Sequence, residues 1–188
     1  PNDDFLAVLD FGSQYAHLIA KRIRHLRVYT EIFPPSIDTD SLEAAKGIIL
    51  SGGPASVFDE DVPAFNPEIL NIPQPILGLC YGHQLMAQYF GGRVANTGQG
   101  EFGKASLRQL NPSPLWKDVA DSSQVWMSHQ DSVTELPQGF QVIGETISGS
   151  LVALQHQERP LFSLQFHPEV SDTLVGTQTV SYTHLTLP

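Results

Sequence analysis

The sequence predicts an α/β fold of three layers, a mostly parallel central sheet with helices on both faces and antiparallel strands added at its edge. Three observations carry this. Apolar runs at 5–9, 28–33, 48–50 and 76–79 are continuous rather than alternating, as in strands buried on both faces. Helical or turn-like segments separate them, the order of elements that builds a parallel sheet. After Gly91-Gly92 the texture changes to short β-branched and apolar segments without intervening helices, which is the texture of antiparallel strands.

Taken in order, residues 5–9 form the first strand, and Asp10-Phe11-Gly12-Ser13 turns into a helix with Ser13 as its expected N-cap. Tyr15, Leu18, Ile19, Ile23 and Leu26 recur at helical spacing. A second strand over 28–33 stops at Pro34-Pro35, and a weak helical turn follows around 41–45. The third strand, Ile48-Ile49-Leu50, runs into Ser51-Gly52-Gly53-Pro54. Strand 76–79 leads into a helix with Leu85, Met86, Tyr89 and Phe90 as apolar positions. Segments 104–110, 124–127, 140–147, 151–155 and 161–166 are expected as antiparallel additions to the sheet. Trp116, Trp126, Met127 and Phe166 are assigned to the core.

With 188 residues the chain is long enough for one well-buried domain. Twenty acidic against ten basic residues give a formal charge of −10, which argues against a nucleic-acid surface. No apolar run approaches the roughly 18 residues of a membrane span, and residues 1–4 do not read as a signal peptide. A single cysteine forms no internal disulfide and no thiolate zinc cluster. A reducing cytoplasm is the default location, and a nucleophilic role for the thiol becomes available.

That cysteine is Cys80, in Gly78-Leu79-Cys80-Tyr81-Gly82. Gly-x-nucleophile-x-Gly between a strand and a helix is the spacing of an elbow whose cramped backbone excludes flanking side chains. The N-terminus of the following helix favours a thiolate there, although a buried structural cysteine between packing glycines has the same sequence. Sites in parallel sheets lie at the carboxyl ends of strands, so loops 10–13, 51–54 and the Cys80 elbow should converge. Gly52-Gly53 fits a plain turn, and it also fits an oxyanion hole formed by the Gly53 amide opposite that of Tyr81. His167-Pro168-Glu169 follows the last strand. Side chains two apart in an extended segment point the same way, so Glu169 could orient an imidazole whose other nitrogen takes the thiol proton; a surface turn is the plainer alternative.

With Gly-Leu-Cys-Tyr-Gly-His-Gln at 78–84 and His-Pro-Glu at 167–169 in one chain, the sequence resembles the class I, triad-type glutamine amidotransferases, which have a flavodoxin-like core. Within them, Leu-Asp-Phe-Gly-Ser-Gln-Tyr at 9–15, Leu-Ser-Gly-Gly-Pro at 50–54, Val-Trp-Met-Ser-His at 125–129 and Gln-Phe-His-Pro-Glu-Val at 165–170 are similar to the N-terminal amidotransferase domains of GMP synthases, over roughly residues 6–176. The resemblance implies Cys80 as nucleophile on the side-chain amide of glutamine, His167 as general base and then acid, and Glu169 as its orienter. It implies Gly53 and Tyr81 as oxyanion donors. Gly52, Gln84, Ser128, His129, Gln130 and Asp131 become substrate-binding residues, with Asp131 the partner of the ammonium group. Glutamate would form through a thioester. The ammonia would pass to an ATP-pyrophosphatase domain that uses ATP and Mg²⁺ to aminate xanthosine monophosphate to GMP; the amidotransferase domain itself needs no cofactor or metal. The full-length protein is expected to be a homodimer.

Three positions depart from that pattern. His83 stands where Met is frequent, Gln130 where Gly usually follows Ser-His, and Gly100 where Arg commonly precedes Glu101-Phe102-Gly103. The string Val-Ser-Tyr-Thr-His-Leu-Thr-Leu-Pro at 180–188 has neither helical period nor linker composition and reads as a translated sequencing adapter. Residues 1–179 are thus expected to form the amidotransferase domain, cut before its synthetase domain, with 180–188 a non-native tail. The alternatives are a stand-alone amidotransferase subunit for a separate synthetase, a non-catalytic glutamine-binding regulatory domain and, less favoured, a cysteine peptidase.

Overall fold

In the computed structural model, which describes residues 4–12, 14–53, 56–116, 121 and 124–166, the continuous apolar runs form the parallel half of one sheet. The strands are β1 (Phe5–Leu9), β2 (Thr30–Phe33), β3 (Ala45–Leu50), β4 (Ile76–Leu79), β5 (Arg93–Gln109), β6 (Gln124–Glu135), β7 (Phe140–Thr146), β8 (Leu151–His156) and β9 (Leu161–Leu164). The helices are α1 (Tyr15–His25) and α2 (Tyr81–Tyr89). Among the described residues the sheet has nine strands in the order β2-β1-β3-β4-β9-β8-β7-β5-β6. The first five pair in parallel and the remaining junctions are antiparallel. The sheet is therefore mixed, an open parallel half joined to an antiparallel extension.

The two faces carry separate cores because successive strand residues point to opposite sides. Leu6 and Val8 of β1 join Ala16, Ile19 and Ile23 of α1. Ala7 and Leu9 join Tyr81, Met86 and Ala87 of α2. One helix thus covers each face, giving the three expected layers. Trp116, Met127 and Phe166 are core as expected, while Trp126 is half-buried.

Several expectations need correction. Segment 161–166 is no antiparallel edge: β9 lies in the middle of the sheet, parallel to β4 and antiparallel to β8. Its Leu161 and Leu164 are buried, the composition of an interior strand. Segment 124–127 continues to Glu135 as β6, so residues 128–131 form strand rather than loop. The alternation of buried Val125, Met127, His129, Asp131 and Val133 shows why: the two-residue period persists through polar side chains. Likewise 104–110 is only the end of the seventeen-residue β5. In α1 the buried stripe is Ala16, Ile19, Ala20 and Ile23, while Leu18 is 37% exposed. The N-cap position falls on Gln14 with no side-chain cap, and Ser13 lies outside the described residues, as do 167–188. In α2 Met86 is buried but Tyr89 is exposed. No helix among the described residues is long and apolar enough to cross a membrane.

The corner between β4 and α2 is held by close backbone packing. A Cβ on Gly78 would lie 2.7 Å from both the Gly82 carbonyl oxygen and Met86 Sδ, and one on Gly82 would lie 2.7 Å from Leu50 Cβ and Leu50 O. Behind it, His83 is fully buried and its Nδ1 lies 2.7 Å from Ser163 Oγ of β9. Burial, then the neighbouring His129, lower its pKa from 6.5 to about 3, against a smaller opposing influence of the Leu151 backbone. The departure from Met at this position thus ties α2 to the sheet.

Gly78→Ala and Gly82→Ala are each expected to destabilise the chain by about 1–3 kcal/mol, because the obstacle is packed core and backbone. Urea midpoints compared with that of the exposed control Gln88→Ala measure this. His83 also gives stability a pH dependence. Its folded pKa lies below the unfolded value, so on acidification the unfolded chain binds the proton first. Its contribution is fully present above about 6.5 and declines toward pH 3, by up to about 1.4 kcal/mol per pH unit. His83→Met should flatten the fall of the urea midpoint between pH 7 and 4, at a constant loss of about 1 kcal/mol from the unpaired Ser163 hydroxyl.

Candidate active site

The carboxyl ends of β1, β3 and β4 converge as the topology requires. Asp10 Oδ1 accepts the Gly12 amide at 2.9 Å, and the Phe11 amide donates to Ser51 Oγ at 3.3 Å. Gly53 packs so closely on this turn that a Cβ there would lie 2.6 Å from the Phe11 carbonyl oxygen. The Ser51 hydroxyl donates to the Gly52 carbonyl at 3.2 Å.

At the third corner Cys80 has φ 53° and ψ −105°, a backbone conformation that L-residues avoid. Its amide continues the ladder to Leu164 O at 2.8 Å, and its carbonyl accepts the Gln84 amide at 3.2 Å. The thiol itself is buried, with Sγ 3.8 Å from Ser128 O and 3.6 Å from Gln165 Nε2. Because the first helical turn has no intrahelical acceptors for its amides, the N–H of Tyr81 is available beside the thiol.

Cys80, Gly53, Tyr81, Gln84, Ser128, His129, Gln130 and Asp131 all line one cavity of about 110 Å³. Eight residues named from the sequence are thereby brought together. Gly52 is buried next to the cavity without lining it. His167 and Glu169 lie outside the described residues.

The polar side chains of the cavity are tied to one another. Gln84 Nε2 donates to Asp131 O at 2.9 Å and to Gln165 Oε1 at 3.0 Å. His129 Nδ1 lies 2.8 Å from the same Asp131 carbonyl. The Asp131 carboxylate accepts a hydrogen bond from Ser56 Oγ. Sequence reasoning missed two of these participants. Ser56 carries no signal, since it meets Asp131 across 75 residues of chain. Gln165 was in view only as part of the Gln-Phe-His-Pro-Glu-Val motif, where no signal marked it as facing the thiol.

Among the described residues no group of three or more His, Cys, Asp or Glu is arranged to hold a metal ion. The donor set suits a small ligand: a nucleophile, backbone amides, an amide side chain and one carboxylate.

Comparison with known proteins agrees with this geometry. The model of the family "Glutamine amidotransferase class-I" matches residues 7–185. The glutamine-hydrolyzing GMP synthase of Thermosynechococcus vestitus is 50% identical over 91% of this chain, and that of Thermobifida fusca 44% over 92%. The chain spans about a third of the length of these relatives, 32% and 33%. Among solved structures, a Thermoplasma acidophilum protein described as one subunit of a GMP synthase superposes with TM-score 0.81 at 28% identity, covering 96% of this chain and 94% of that one. A glutamine amidotransferase of Thermotoga maritima shares the fold, with TM-score 0.76 at 18% identity over 90% of this chain and 78% of its own. With a thiol on a strained elbow and the family match running through both halves of the sheet, the chain belongs to the class-I glutamine amidotransferases.

Proposed function

We propose that the chain hydrolyses the side-chain amide of glutamine at Cys80 and that the ammonia serves the amination of xanthosine monophosphate to GMP. The observation that carries the first part is the Cys80 thiol, at positive φ, opening on a small cavity with Gly53, Tyr81 and Asp131. Sγ attacks the amide carbon, its proton passes by way of His167 to the leaving nitrogen, and ammonia departs to leave a thioester. Water then cleaves the thioester to glutamate and restores the thiol. The amides of Gly53 and Tyr81 hold the oxyanion.

His167 as base and Glu169 as its orienter are supported by the course of the chain. Strand β9 runs beside β4, and Gln165, two residues before His167, already places Nε2 3.6 Å from Sγ. The amino-acid end of glutamine is assigned to Asp131 and Gln84. Both bonds of the Gln84 amide nitrogen go to Asp131 O and Gln165 Oε1, so what it offers a ligand is its oxygen, an acceptor suited to an ammonium group. Ser128, His129 and Gln130 complete that end of the cavity, with Gly52 supporting Gly53.

The acceptor of the ammonia is assigned to a synthetase domain of the whole protein, because the relatives of which this chain matches a third are named GMP synthases. ATP and Mg²⁺ belong to that domain, and no residue here is assigned to them. A homodimeric full-length enzyme in a reducing cytoplasm completes the proposal, the latter keeping Cys80 as the thiol.

Cys80→Ala should abolish glutamate release from glutamine in an isotope-coupled assay, whereas GMP formation from free ammonia survives when the synthetase domain is supplied. A glutamine-like diazoketone should alkylate Cys80, as read by peptide mass; an unlabelled thiol would favour a binding module instead of an enzyme. Asp131→Asn should raise KM for glutamine about tenfold, equivalent to about 1.4 kcal/mol of binding, with a smaller change in kcat.

A further inference from the structure

Glu101 lies on β5 directly opposite His129 of β6. Its Oε1 is 3.8 Å from His129 Nε2, with the two side chains 18% and 2% exposed. That oxygen is buried and accepts no hydrogen bond among the described residues, so the imidazole is its counter-group.

The other ring nitrogen fixes the protonation state. His129 Nδ1 lies 2.8 Å from the Asp131 carbonyl, and a carbonyl only accepts, so Nδ1 carries a proton. A neutral ring would then turn the lone pair of Nε2 toward a carboxylate. The contact is attractive only when Nε2 is protonated too. Among the described residues the groups facing the ring include Glu101 from β5, Asp131 and the Ser132 hydroxyl (Oγ 3.5 Å from Nδ1) from β6, His83 from α2, and Cys80 across the cavity. Of these, Glu101 forms the ion-pair contact with Nε2, while the Asp131 carboxylate accepts from Ser56.

We propose that Glu101 is a positioning residue that keeps His129 protonated at both nitrogens, so that its charge-strengthened Nδ1–H bond and Gln84 together clamp the Asp131 backbone and set its carboxylate for the ammonium group of the substrate. This rests on the glutamine reading above. Glu101 acts through two intermediaries, His129 and the Asp131 carbonyl, where Gln84 Nε2 also donates at 2.9 Å. Its effect therefore falls on substrate binding more than on the chemical step.

The test has two arms on the full chain. Ring-nitrogen NMR of His129 in the Cys80→Ala protein, which needs no turnover, should show both nitrogens protonated at pH 7. In Cys80→Ala/Glu101→Gln the titration midpoint should fall by at least about one pH unit. In the active chain, Glu101→Gln should raise KM for glutamine about tenfold with kcat changed less than twofold. A neutral His129 at pH 7 in the parent overturns the proposal without any variant. So does an unchanged titration, or an unchanged KM beside a shifted titration. A shifted titration in a chain that hydrolyses no glutamine would support the ion pair and refute the glutamine reading instead.

Discussion

One backbone residue, Cys80 at φ 53° and ψ −105°, is the constraint on which the site depends. Holding an L-residue there costs about 1–3 kcal/mol, and the surrounding structure must supply it. Its amide is locked to Leu164 of β9 and its carbonyl to Gln84 of α2, so strand and helix fix the corner from both sides. The absence of side chains at Gly78 and Gly82 lets helix, corner and β3 approach to contact. Straightening the corner would turn the thiol away from the cavity and break the β4–β9 ladder at its carboxyl end.

The second requirement is a polar network that survives burial. His129, Asp131, Gln84 and Gln165 are all buried, and each unpaired polar group would cost about 1–3 kcal/mol. Much of this is met by bonds among them, with the Asp131 carbonyl accepting both Gln84 and His129. Such mutual bonding leaves few alternative arrangements, which is how side chains from β6, α2 and the end of β9 become a rigid rim around the thiol.

The parallel half was legible because its signals are local. Continuous apolar runs gave β1 and β4 to the residue, and the paired glycines gave the elbow. The antiparallel half was not, for two physical reasons. In β6 the buried positions alternate through His129 and Asp131, and Asp131 meets Gln84 47 residues away in sequence, so a polar cluster looked like a loop. The place of β9 beside β4 is a matter of chain crossover, which the strand's own composition does not encode. Cys80, Gly53, Tyr81 and the 128–131 segment were found because they sit in compact motifs. Ser56 was not, since its whole contribution is a contact with Asp131.

That contact explains why a mixed sheet is needed at all. The parallel half supplies the Cys80 thiol together with Gly53 and Tyr81 on the wall of the cavity. The antiparallel half supplies Asp131 and His129. Strand β9, parallel to one half and antiparallel to the other, joins them, and the Ser56–Asp131 bond stitches the loop after β3 to β6 on the cavity wall. Among the described residues the cavity framed in this way has a volume of about 110 Å³, the scale of a small ligand. The stitch fixes Asp131 relative to the Cys80 elbow, so that thiol and carboxylate face one small cavity from the two halves of the sheet.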